Sequence, residues 1–98
     1  MANQLKNNPN IVDTAGTTVI GVAGDPVTVR CFRWVGTSAT ATHDTCIVKD
    51  GNGLVVWSAI ATGADYTTES MFPEKGLVIA GGFAVTTLSS GSLYIYFV

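Results

Sequence analysis

The stretch Thr45-Cys46-Ile47-Val48-Lys49-Asp50-Gly51-Asn52-Gly53-Leu54-Val55-Val56-Trp57 decides the fold class. Apolar, largely β-branched residues flank Asp50-Gly51-Asn52-Gly53, which has the turn chemistry of a tight chain reversal. The pattern predicts an antiparallel hairpin. With a four-residue loop, Lys49 pairs with Leu54, Val48 with Val55, Ile47 with Val56 and Cys46 with Trp57. Alternation then places Cys46, Val48, Val55 and Trp57 on one face, and Thr45, Ile47, Leu54, Val56 and Ser58 on the other. Both faces are more apolar than a sheet with one solvated side needs. One is expected to be core, and the second to be covered by more of this chain or by a neighbouring subunit.

The same grammar runs outward in both directions. Short β-branched runs separated by Gly, Pro, Asp and Asn predict strands at about 11–14, 17–22, 27–35, 45–49, 54–59, 66–70, 77–80, 83–88 and 93–98. The longest alternates Val27, Val29, Cys31 and Val35 with Thr28, Arg30, Phe32 and Trp34, and here too either set could face the core. On this count Arg30 and Arg33 fall on opposite faces. No window carries a helical apolar stripe. Eight or nine short strands predict an all-β domain: a compact β-sandwich of jelly-roll type, with a small β-barrel as the alternative. Residues 1–9 are Asn-rich and read as a flexible N-terminal arm, leaving 10–98 as one domain.

At 98 residues the chain is one domain with a modest core. Small domains are commonly reinforced by disulfides, a metal or oligomerisation. Two cysteines, Cys31 and Cys46, exclude a disulfide-dense framework, and the single histidine, His43, argues against a structural zinc site. Charged residues make up 12% of the chain and hydrophobic ones 47%. Few ions would lose their water when another chain covers such a surface, so homo-oligomerisation is expected. The net charge of −2 predicts no nucleic-acid partner. The polar start lacks the apolar region of a secretion signal, and no run approaches the length of a membrane helix. Synthesis in a cytoplasm, with reduced thiols and no membrane partner, is expected.

Motifs that could carry chemistry resolve to simpler readings. His43 with Cys31 or Cys46 would need a close base–thiol geometry that this spacing does not encode. Asp50–Gly53 resembles part of a calcium loop but lacks the closing glutamate. Trp34, Trp57, Tyr66, Tyr94 and Tyr96 could stack on a sugar, although strand aromatics more often anchor cores or interfaces. Thr37–Thr42 reads as a flexible loop. Asp25, Asp44, Asp65, Glu69 and Glu74 form no paired-carboxylate motif. No catalytic residue, cofactor site or metal site is expected, and the chain is read as a non-enzyme.

Cys31-Phe32-Arg33-Trp34-Val35, Asp44–Trp57, Gly63-Ala64-Asp65-Tyr66 through Glu69-Ser70-Met71-Phe72, and Leu88-Ser89-Ser90-Gly91-Ser92-Leu93-Tyr94-Ile95-Tyr96 resemble small structural proteins of tailed-phage virions. The resemblance covers about residues 29–98 and rests on strand-and-turn patterns. It implies a capsid decoration or cement protein made in the host cytoplasm. Such a protein sits as a homotrimer on the capsid exterior and binds the major capsid protein. It also leaves open a tail, head–tail connector or fibre component, including a glycan-binding module. On that reading the expected contact residues are Leu5, Asn7, Asn8, Pro9 and Ile11 of the arm and its exit, with Met71, Phe72 and Pro73 of a predicted turn.

Overall fold

A computed structural model describes residues 8–16, 20–21, 25–72 and 75–98. Among them there is no helix. Eight strands occur, β1 Asn10–Val12, β2 Val27–Val35, β3 Thr45–Lys49, β4 Val55–Ile60, β5 Thr67–Met71, β6 Leu77–Ile79, β7 Ala84–Leu88 and β8 Ser92–Phe97. The predicted strand at 17–22 falls largely outside the described residues, but Ile20 forms an isolated antiparallel bridge to Phe83. All pairings are antiparallel, in two sheets. The larger runs β1-β8-β2-β5, with β6 also paired to β2, and the smaller runs β4-β3-β7. The radius of gyration, 12.6 Å, matches the roughly 12.6 Å expected of a compact chain of this length.

The core lies between the sheets. Phe32 of β2 and Trp57 of β4 stack across them, with ring centroids 5.3 Å apart and planes 22° from parallel. Phe72 meets Phe32 edge-on, and Tyr66 meets Trp34 in the same way. The two indole N–H groups are satisfied, Trp34 Nε1 donating to the Ser90 carbonyl and Trp57 Nε1 to Ser70 Oγ. Val29, Cys46, Val48, Ile79, Phe83, Leu93 and Ile95 are also fully buried.

Bulges decide which apolar face became core. Opposite β8, the register shifts between Val29 and Cys31, so Arg30 is an extra residue on β2. Each extra residue reverses the in–out parity beyond it. Val29 from one alternating set and Phe32 and Trp34 from the other are therefore all buried. The expectation that Arg30 and Arg33 lie on opposite faces is corrected for the same reason: both stand on the outer side of the large sheet.

The hairpin is corrected likewise. Its ladder is Lys49↔Val55, Val48↔Trp57, Ile47↔Ser58, Cys46↔Ala59 and Thr45↔Ile60, with Val56 the extra residue. Leu54 falls in the turn, where its carbonyl accepts from Asp50 N. Val55, expected beside Cys46 and Val48, is exposed instead, while Val56 packs against the core. A third shift, between Ile47 and Val48 opposite β7, leaves Thr86 unpaired and exposed.

Two turns are tight. Asp50 Oδ1 accepts from the N–H groups of Asn52 and Leu54, which closes the hairpin. A Cβ on Gly51 would stand 2.0 Å from the Gly81 carbonyl oxygen, so this loop can press against residues 80–82 only with glycine there. The Thr37–Thr42 segment is more tied down than a flexible loop. Thr40 is buried, its N–H donates to the Thr37 carbonyl, and its Oγ1 accepts from Thr37 N.

Candidate interaction surface

Parity on β8 builds the surface. Leu93, Ile95 and Phe97 point to the core, which turns Tyr94 and Tyr96 outward. Ladder partners extend these two rows across the large sheet. Ile11, Tyr94, Arg33 and Glu69 form one, and Tyr96, Cys31 and Met71 the next. Beyond them Val78 pairs with Thr28, and Val98 N donates to the Thr28 carbonyl. Met71, Val78 and Val98 are all more than 60% exposed, at 61%, 65% and 67%. An ion pair crosses this face, Arg33 Nε to Glu69 Oε2 at 4.0 Å, with both side chains about half exposed. At that distance and exposure it adds little to stability.

The bulge at Arg30 opens a shallow concavity of about 230 Å³ lined by Arg30, Cys31, Glu69, Met71 and Tyr96. Small-molecule sites are typically about 300–1,000 Å³, while a cavity of about 150 Å³ already holds benzene. The concavity is therefore sized for one inserted side chain.

The expected contact residues divide. Ile11 and Met71 stand on this outer face. Asn8 stands at its margin, where Nδ2 donates to the Phe97 carbonyl and Oδ1 accepts from Phe97 N. This side-chain amide thus mimics one more ladder pairing at the end of β8. Pro9 is half-buried beside it. Phe72 is separated from Met71: its N–H donates to the Arg30 carbonyl and its ring packs on the core. Leu5, Asn7 and Pro73 lie outside the described residues. Val78, Val98, Tyr94 and Tyr96 were not expected as contacts, although the Tyr alternation along β8 was a legible signal for the last two.

Neither cysteine thiol is activated by its surroundings. Cys46 is fully buried, and desolvation pushes its thiol up to about 12. Cys31 is also raised, by burial and by the Glu69 carboxylate, with Arg33 opposing. Both cysteines are free. His43 sits exposed in the turn before β3 at φ 73°. Asp44 is held below the ordinary carboxylate range by the Ala41 N–H and then by the Ser90 hydroxyl. Since Ser90 spends its proton on Asp44, Thr40 is the donor in the 2.8 Å Thr40–Ser90 contact. This chain of bonds joins the loop before β3 to the β7–β8 turn. Of the aromatic residues that could stack on a sugar, Trp34 is fully buried, and Trp57 and Tyr66 pack against the core. Among the described residues no three His, Cys, Asp or Glu side chains gather to hold a metal.

No family model, curated protein or solved structure matches the chain.

Proposed function

We propose that this chain is a virion structural subunit, a capsid decoration or cement protein. It assembles as a homotrimer on the capsid exterior and stabilises the shell by binding the major capsid protein. The observation that carries the reading is the outer face of the large sheet. Exposed Met71, Val78 and Val98, backed by Tyr94 and Tyr96, give an apolar surface beside the Arg33–Glu69 ion pair, in a chain of only 12% charged residues. Exposed apolar patches of this kind mark interaction surfaces. A concavity sized for one side chain suits a protein partner, and it needs no cofactor. Trimers contacting several capsid sites would gain by avidity even where each contact is weak.

The strand order supports the finer fold assignment, a jelly roll. The large sheet runs β1-β8-β2-β5, and Gly16 and Ile20, which follow β1 in the chain, hydrogen-bond to Val85 and Phe83 beside β7 of the small sheet. The chain thus passes from one sheet to the other after β1, as in the double Greek key of jelly rolls, an architecture that includes viral capsid domains. Fold alone does not assign function, so the topology raises the reading without carrying it. The alternatives are a tail, connector or fibre component. A glycan-binding form of these is the less favoured, because the core claims Trp34, Trp57 and Tyr66.

The test is binding to shells assembled from the major capsid protein encoded with this chain, read by co-sedimentation and cryo-electron microscopy. Saturable, symmetric density on the exterior is expected, with occupancy falling about tenfold for Met71→Glu, as for an interface anchor. Density on tails, or no binding to shells, would overturn the proposal.

A further inference from the structure

The open edges of the two sheets are built differently. On the large sheet, β5 carries Glu69 in the middle of its exposed edge, and β1 and β6 are only three residues long. Charges and short strands are the ordinary means of blocking strand addition. On the small sheet, β7 is flanked by the bridge to Ile20. The remaining edge, β4, is the exception. Its sequence Val55-Val56-Trp57-Ser58-Ala59-Ile60 has neither charge nor proline, and no described strand pairs with its outer side. Val55 and Ile60 are 55% and 58% exposed, and Leu54 next to them is 64% exposed.

The register shows what such an edge accepts. The five rows of the β3–β4 ladder hold Val55, Trp57, Ser58, Ala59 and Ile60, with Val56 extra. Ser58 is the middle row. Val55 and Ile60 lie two rows either side of it on the outer face, and Trp57 and Ala59 lie one row either side on the core face. A two-fold axis through Ser58 therefore maps outer residues onto outer and inner onto inner. The main chain agrees. Ala61 N donates to the Asp44 carbonyl and His43 N to the Ala61 carbonyl, so Ala61 turns both polar groups toward β3. By alternation Ser58 and Ile60 turn theirs outward.

We infer that β4 is a self-pairing edge: a second copy of this chain adds its own β4 antiparallel, centred on Ser58. The two Ser58 residues exchange N–H···O=C bonds, Val55 of each copy lies beside Ile60 of the other, and Trp57 beside Ala59. The two small sheets become one of six strands. The charges allow it, because Lys49 shares the row of Val55 and so faces the Ile60–Thr45 end of the second copy. The two lysines lie at opposite corners. The inference is independent of the capsid reading. An isologous contact cannot itself close a ring of three, so in a trimeric assembly it joins one trimer to another.

The experiment is sedimentation of the full chain at micromolar concentration, together with cross-linking of a Ser58→Cys variant by a short bismaleimide. A Thr67→Cys variant on β5 is the control. Covalent dimer from Ser58→Cys, forming about tenfold faster than from Thr67→Cys, is expected. Val55→Lys should weaken the contact by roughly tenfold or more, and adding Ile60→Glu should restore it, because the new lysine then faces the new glutamate of the second copy. Both positions are more than half exposed, so the variants fold, as an unchanged melting profile would show. Equal cross-linking rates, or a failure of the double variant to restore what Val55→Lys removes, would overturn the inference and leave this edge to a strand of another protein. Neither result depends on whether the chain binds a capsid shell.

Discussion

Replacing Phe32 with alanine tests the core directly. Phe32 is fully buried and is the residue through which the sheets meet, stacked on Trp57 and edge-on to Phe72. Phe→Ala in a core costs about 3–5 kcal/mol in lost transfer energy and cavity. Each aromatic pair contributes about 0.5–1.5 kcal/mol beyond area, which places this site toward the upper end. A domain of this size has about 5–15 kcal/mol in total, so the substitution removes from a third to nearly all of it. Urea unfolding followed by tryptophan fluorescence measures the loss. At a slope of about 1–3 kcal/mol per molar, the midpoint falls by on the order of 2 M. Arg33→Ala, one residue along and on the outer face, should change stability by no more than about 0.5 kcal/mol. A loss below about 1 kcal/mol for Phe32→Ala, or a larger loss for Arg33→Ala, would mean that the β2 bulge is misplaced and the other face of β2 is the core.

Two further outcomes follow from the side-chain environments. In the native protein Cys46 should resist thiol reagents until the chain unfolds, while Cys31 in the outer concavity reacts first; equal rates at the two would contradict the placement of Cys46 between the sheets. Asp44 titrates below its unfolded value of 3.8, so its contribution is present above that pH and lost as pH falls through the lower folded value. Ser90→Ala should move the Asp44 titration, followed by carboxyl NMR, back toward 3.8, and the stability gap between wild type and variant should narrow below that pH; an unmoved titration would show that the Ser90 hydroxyl does not hold the carboxylate.

Much of this protein was determined by local chemistry and is legible in one dimension. β2 and β3 lie at their predicted bounds because β-branched runs and turn residues act over a few positions. The Asp50–Gly53 turn is closed by its own aspartate, again a local event. The low charge that points to covered surface is likewise a property of composition. What alternation could not reveal is the side that faces the core, since each of the three bulges reverses parity and is set by the partner strand. That is why Arg30 joins Arg33 on the outer face and why Val55 leaves the core side to Val56. The candidate surface is a tertiary product: Ile11, Tyr96, Cys31, Met71 and Val98 come from four strands and the chain end. They meet only because strands distant in sequence pair in one sheet. The edge at β4 combines both levels. Its uncharged sequence is legible, but its symmetry about Ser58 exists only once the bulge at Val56 has set the ladder.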